Sequence, residues 1–233
     1  MKTLSTREIK ILNRLVMKTN KKIAVLLSGS GVYDGSEIHE ATLSLYAISK
    51  NGGTYQIFAP NIDQHHVVNH LTGEEMNETR NVLVESARIA RGDIKDLVEF
   101  NANDFDAILF PGGFGVAKNL CSLAFDGADC KVNSGIEKVL KEMHAASKPI
   151  AALCIAPALI AKVITGSEVT IGSDEGTAGA IEAMGSHHKQ AGHGEVVIDV
   201  KNKIVTTPCY MLDATIAQIG EGAENVVKTL MGM

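Results

Sequence analysis

Three features of this 233-residue chain hold groups that can do chemistry, and each lies where a hydrophobic run meets a turn. The first is Cys154, inside the apolar stretch PIAALCIAPALIAKV from Pro149 to Val163. A nucleophile elbow is a tight strand-to-helix turn that presents its nucleophile in strained geometry, and crowding there demands small residues two positions before and after. Ala152 and Ala156 meet that demand without the glycines of G-x-S-x-G. Pro157 suits an early helical position, where no backbone N–H is needed. A helix N-terminus beside the sulfur would favour thiolate and lower its pKa. Cysteine is also a common buried small hydrophobe, so on this stretch alone core packing and nucleophile both stand. The second feature is Glu40, placed in the first turns of a helix. A carboxyl aimed at the thiol can donate a hydrogen bond to it or act as general acid and base. A solvated or dipole-pairing carboxylate is the plainer alternative, and it suits Glu37 well. The third is PGGFG at 111–115. It reads as a tight turn, or as a source of backbone donors, with the N–H of Gly113 joining that of Ile155 in an oxyanion hole.

Other motifs point less firmly to chemistry. SGSGVYDG (28–35) looks like a phosphate-binding loop, but Gly29 and Gly31 are followed by Asp34, so G-x-G-x-x-G is not completed, and no P-loop Lys-Ser/Thr follows. His187, His188 and His193 share a glycine-bearing loop in which no carboxylate or cysteine pattern completes a metal site. HGE (193–195) imitates the H-x-E of class I glutamine amidotransferases, yet it precedes the last strands, whereas that family's pair follows them. His65, His66 and His70 receive no assignment.

The elements that must position these groups follow from hydrophobic periodicity. KIAVLL (22–27) reads as a buried strand. The segment 37–50 reads as a helix with Ile38, Ala41, Leu45 and Ile48 on one face, capped by Asp34 with Glu37 three residues on. TYQIFAP (54–60) is a second strand. A polar stretch follows, expected to be an inserted loop with one helix around 78–90. DAILFPGG (106–113) is a third strand, 134–147 a helix, PIAALC a fourth strand and VTIG (169–172) a fifth. GEVVIDVKNKIVTTP (194–208) forms two β-runs in a hairpin. The tail from Met211 to Met231 is helical, with Gly220 and Gly222 as candidate breaks. Alternating β and α units with near-continuous apolar strands predict a parallel sheet covered on both faces. Ligands in such folds sit at the carboxyl ends of the strands. The glycine turn with Glu37 and Glu40, PGGFG and Cys154 all fall at such ends, and their coincidence favours the nucleophile.

Composition narrows the function classes. A net charge of -5, 4% aromatic residues and no Trp leave no footprint for nucleic acid. The longest apolar run, 150–161, contains Pro157 and falls short of the roughly 20 residues of a membrane helix. Four cysteines without a C-x-x-C pair favour a reducing, cytoplasmic compartment. Residues 1–20 read as a basic N-terminal extension before a single domain at 21–233. Lys2, Arg7, Lys10, Arg14 and Lys18 against Glu8 make that extension acid-poor, as in a mitochondrial presequence.

The segments SGSGVYDGSEIHEA, NHLTGE, ETRNVLVESARIARG, PGGFGVAKNL, CIAPA and NKIVTTPCYM carry a resemblance that spans Lys22 to Met211. Together they resemble the ElbB group of the ThiJ/PfpI, class I glutamine amidotransferase-like superfamily, the enhancing-lycopene-biosynthesis proteins described as glyoxalases. The resemblance implies an α/β, flavodoxin-like three-layer sandwich with a mostly parallel sheet, helices on both faces and a C-terminal β-hairpin, assembled as a homodimer. It implies Cys154 as nucleophile, Glu40 as its carboxyl partner, and the amides of Gly113 and Ile155 as oxyanion donors. The implied reaction needs no cofactor and no metal: the thiolate attacks an aldehyde of glyoxal, an internal redox shift follows, and hydrolysis releases glycolate. Two departures matter. Superfamily proteases place His directly after the cysteine, where Ile155 stands here. Glyoxalase-active relatives often add a His from the loop after the next strand, and VTIGSDEG has none. Slow turnover is the expectation. The competing reading is a non-enzymatic protein that senses oxidants or binds a partner through Cys154. A glutamine amidotransferase is disfavoured by the missing His-x-Glu after the last strand.

Overall fold

The near-continuous apolar runs become the inner strands of a seven-stranded sheet. A computed structural model describes residues 21–233, and the basic extension 1–20 lies outside the described residues. In chain order the elements are β1 (Lys22–Leu26), α1 (Ile38–Lys50), β2 (Thr54–Ala59), α2 (Val82–Ala90), β3 (Ile94–Asp96), β4 (Ala107–Phe110), α3 (Leu123–Asp126), α4 (Ser134–Ala145), β5 (Ile150–Leu153), α5 (Ala156–Val163), β6 (Glu168–Val169), α6 (Glu175–Ala183), β7 (His187–His188), β8 (Val197–Asp199), β9 (Ile204–Thr207) and α7 (Ile216–Gly232). Short 3-10 segments and one π-helical turn, Val116–Leu120, connect them.

The main sheet runs β3-β2-β1-β4-β5-β9-β8. Its strands are parallel except β8, which turns back antiparallel on β9 as the expected hairpin. β4 (AILF) and β5 (IAAL) are buried at every position, because helices cover both faces and no side chain has a solvent side to point to. On one face α1, α2 and α7 close over Ile23, Val25, Leu109 and Val205. On the other α4, α5 and α6 close over Ile108, Phe110, Ala152 and Ile204. This is the flavodoxin-like three-layer sandwich. Among the described residues no helix is long and apolar enough to cross a membrane.

Four local expectations are corrected. Strand β3 was hidden in the polar stretch because IKD is short, half-exposed and without alternation. The run 169–172 does not join the main sheet: β6 ends at Val169 and pairs with β7 in a separate two-stranded sheet, and Gly172, at φ +89°, turns the chain away. The cap of α1 is Glu37, whose carboxylate accepts from Glu40 N at 2.7 Å, while Asp34 accepts from Val68 N at 2.7 Å and braces the insertion. Helix α7 runs unbroken through Gly220 and Gly222. A helical glycine costs about 1 kcal/mol, which the burial of Ile219, Ala223, Val226, Val227 and Leu230 outweighs. Gly222 is also where the helix meets β9: a Cβ there would lie 3.3 Å from the side chains of Thr207 and Cys209.

Candidate active site

The carboxyl ends of β1, β4 and β5 converge on one buried cluster. Leaving β5, Cys154 donates its N–H to Thr207 O at 3.0 Å and adopts φ +59°. A non-glycine residue pays about 1–2 kcal/mol for left-handed backbone. That strain is the signature of a nucleophile elbow, and α5 starts two residues later with Pro157 in its first turn. Ala152 and Ala156 are fully buried, which is why the flanking positions must be small.

The loop after β4 closes against the elbow. Gly112 donates its N–H to Glu40 Oε2 at 2.9 Å and accepts from Glu37 N at 2.9 Å. A Cβ on Gly112 would stand 2.3 Å from Cys154 Cβ and 2.7 Å from Glu40 Oε2. Gly113, at φ +99°, lays its backbone on Gly35: a Cβ there would meet Gly35 O at 2.3 Å and Glu37 N at 2.4 Å. Gly115 stacks on the same loop, and its Cβ would meet Gly35 Cα and Ser28 O at 2.5 Å. The two glycine turns therefore interlock backbone on backbone. This packing aims the N–H groups of Gly113 and Ile155 at the Cys154 sulfur.

Glu40 is fully buried on the first turn of α1. Its second oxygen accepts from Tyr210 N at 3.1 Å, and its carboxyl is hydrogen-bonded to the Cys154 thiol. Burial, and then the negative charge of Glu37, push Glu40 up to about 8, against the two amides that favour its anion. Burial, and then the Glu40 charge, likewise push the Cys154 thiol up, against the amides of Gly113 and Ile155. The thiolate-favouring effect expected of the helix N-terminus is thus overridden by burial. At neutral pH both groups hold their protons. The first proton to leave gives one negative charge that thiol and carboxyl share through their hydrogen bond. Such a pair can deliver a thiolate when a substrate arrives and keep the proton one hydrogen bond away.

All four site residues expected from sequence, Cys154, Glu40, Gly113 and Ile155, come together here. Two neighbours were missed. His39 Nδ1 and Tyr210 OH, on the residues next to Glu40 and Cys209, are 2.8 Å apart, and Glu37 Oε1 lies 4.0 Å from the same ring nitrogen. The available signal was weak: His39 directly precedes Glu40, and Tyr210 sits in the segment TPCYM. Cys209 also packs in the same apolar cluster as Cys154, at φ +43°.

The remaining motifs do other work. In the glycine turn after β1, Ser28 N donates to Ser36 Oγ, Gly29 N to Ser86 Oγ, Gly31 N to Ser36 O and Gly35 N to Gly31 O. Donors that a phosphate would need are spent on the scaffold. His70 accepts from Tyr33 N at 3.2 Å, and His65 and His66 pack on Phe125. Among the described residues no group of three or more His, Cys, Asp or Glu side chains is arranged to hold a metal, and His187 and His188 form β7 of the separate two-stranded sheet.

A mostly parallel sheet of this order, with a cysteine elbow after β5 and a carboxyl on the first helix, defines a class I glutamine amidotransferase-like fold of the ThiJ/PfpI type. No protein-family model matches the chain. The chain is 50% identical over 220 residues to the ES1 protein homolog, mitochondrial, of Rattus norvegicus, covering 90% of this chain and 83% of that protein. It is 49% identical to the human glutamine amidotransferase-like class 1 domain-containing protein 3, mitochondrial, over 90% and 82% of the two chains. The crystal structure of an isoprenoid biosynthesis protein with amidotransferase-like domain from Ehrlichia chaffeensis superposes with a TM-score of 0.86 at 36% identity, covering 91% and 98%. Glyoxalase III of Candida albicans shares the fold, with a TM-score of 0.59 at 16% identity over 92% and 97%. The chain belongs to the ES1 family of glutamine amidotransferase-like proteins, the ElbB-type branch of this superfamily.

Proposed function

We propose that the protein is a cofactor-independent glyoxalase-type enzyme that converts a small 2-oxoaldehyde to the corresponding 2-hydroxy acid through Cys154. The observation that carries this reading is the strained elbow of Cys154 with the fully buried Glu40 carboxyl beside it over Gly112, where burial pushes that carboxyl up to about 8. A carboxyl with that affinity can take and return protons near neutral pH, as the reaction demands.

In the first step the sulfur forms a bond to the aldehyde carbon and the carbonyl π-bond breaks. The step starts from the pair that has lost one proton: Glu40 gives the remaining shared proton to the new oxygen, which lies within reach of the Gly113 and Ile155 amides, and is left as a carboxylate. The Glu40 carboxylate then takes the hydrogen of that carbon as a proton, the hydroxyl proton moves to the neighbouring carbonyl oxygen, and Glu40 returns its proton to the carbon of that carbonyl. The first carbon is oxidised to a thioester and the second reduced to an alcohol, with no external electron acceptor. Water cleaves the thioester, releasing the hydroxy acid and restoring the thiol.

The test is hydroxy-acid formation from glyoxal by the wild type, Cys154→Ser and Glu40→Gln. Loss of at least a hundredfold in both variants supports the reading, and equal rates in all three refute it. Sensing through Cys154 oxidation is the weaker reading, because the thiol is only 6% exposed and its neutral form is favoured. A mitochondrial address accords with the acid-poor leader and with the word mitochondrial in the names of both relatives. Imaging the full chain with a C-terminal tag tests it.

A further inference from the structure

We infer that the substrate carries an uncharged hydrocarbon substituent of several carbons, seated in an apolar chamber beside the nucleophile. The inference rests on the reading that Cys154 attacks a carbonyl. It goes further in saying what is attached to that carbonyl.

The chamber has a volume of about 230 Å³ and lies where the π-helical turn, α3 and the start of α6 face the elbow. Its position follows from the chain itself. Ile155, whose N–H points at the sulfur, also lines the chamber, and so does Phe114, the residue after the other donor, Gly113. An oxygen held by those two amides therefore sits at the chamber's edge. The rest of the lining is small or aliphatic, with Ala117, Leu123, Ala124 and Ala180, and Thr177 supplies a hydroxyl. At the sulfur itself there is little room, since Cys154 is only 6% exposed and Gly112 is packed on its Cβ. The site is narrow where chemistry would occur and wider to one side, which suits a terminal aldehyde on a compact apolar group.

The lining also says what does not fit. It contains no charged side chain, and the nearby Lys118 is committed: its Nζ donates to Tyr33 O at 2.9 Å and stands over the Phe114 ring. The ammonium and carboxylate of glutamine would be desolvated there without partners. Glyoxal, with only hydrogen on its second carbonyl, would leave the chamber empty. A branched alkyl substituent would fill it, and each methylene removed from water is worth about fourfold in binding.

Two measurements test this on the full chain. One compares kcat/KM for 4-methyl-2-oxopentanal with that for glyoxal. The other compares rates of Cys154 alkylation by N-isobutyl-iodoacetamide and by iodoacetamide, each normalised to free cysteine and read by mass spectrometry. Both ratios should exceed tenfold in the wild type. In Ala180→Leu and Ala124→Leu, which fill the chamber from exposed or half-exposed helix positions, both ratios should fall towards one. Ratios near one in the wild type, or equal ratios in wild type and variants, overturn the chamber and leave the thiol reading intact. Failure of Cys154 to react with any of the four reagents overturns both.

Discussion

Replacing Glu40 by Gln should make the protein's stability less sensitive to pH, and the size of that change follows from the site. An unfolded glutamate titrates near 4.5, whereas Glu40 in the fold is held up to about 8. Between those values the folded state keeps a proton that the unfolded state has released. Stability then falls as pH rises, by about 1.4 kcal/mol per pH unit, until the folded carboxyl itself ionises. From pH 5 to pH 8 the wild type should lose on the order of 4 kcal/mol that Glu40→Gln does not lose. For a chain of this size that is roughly 10 °C in the Tm difference between the two proteins. The substitution has a fixed cost of its own. Both Glu40 oxygens accept backbone N–H groups, from Gly112 and Tyr210, and the Gln amide nitrogen can accept from neither. One buried N–H loses its partner, at about 1–3 kcal/mol. Because that cost does not depend on pH, the informative quantity is the slope. Thermal unfolding of both proteins at half-unit steps from pH 5 to 8 measures it. A Tm difference that stays flat across the range would show that Glu40 is already ionised at pH 5, and the proton-shuttling role would lose its basis.

Gly112→Ala should abolish turnover and destabilise the fold by several kcal/mol, since the added Cβ would fall 2.3 Å from that of Cys154; steady-state assays and unfolding curves check both. At position 154, Gly should be more stable than Ala by about 1 kcal/mol, because only glycine adopts φ +59° without strain. Denaturant melts of Cys154→Gly and Cys154→Ala decide this, and the reverse order would mean that the elbow is unstrained. The rate of Cys154 alkylation by iodoacetamide should rise about tenfold per pH unit from 6 to 7 and flatten towards 8, because thiol and carboxyl hold both protons until the pair loses its first near 8. A plateau below pH 7 would indicate a free thiolate instead.

The strands that frame the site were legible because parallel strands buried on both faces need near-continuous apolar runs, and β1, β4 and β5 supply them. Cys154 and Glu40 were legible for a related reason: each closes or follows such a run at a sheet edge where small residues and glycines crowd together. What stayed hidden depends on contacts between distant segments. The pairing of Tyr210 with His39 and Glu40 spans about 170 residues and leaves no local pattern. Glu37 displaced Asp34 as the cap because the loop from 28 to 36 is folded by Asn119, whose amide nitrogen donates to Ser28 O and Asp34 O. The short β3 and the separate β6–β7 pair are set by their neighbours, since IKD, EV and HH carry no period of their own. The direction in which the thiol would be pushed was also misjudged. A helix N-terminus is visible in sequence, but the depth at which the sulfur is buried is not.

The interlocked glycine turns also constrain how a site of this kind can change over evolutionary time. Gly113 and Gly115 lie against the backbone of Gly35, and Gly112 against the side chains of Cys154 and Glu40, so a substitution at any of them needs simultaneous adjustment of the neighbour it meets. Single mutations cannot tune the donor frame by degrees; they leave it intact or break it. Side chains hung on that frame, Phe114, Ile155 and Tyr210, face no such restriction. A new substrate is therefore most readily reached by exchanging those three while thiol, carboxyl and amides stay fixed, which makes them the first positions to vary in a directed library.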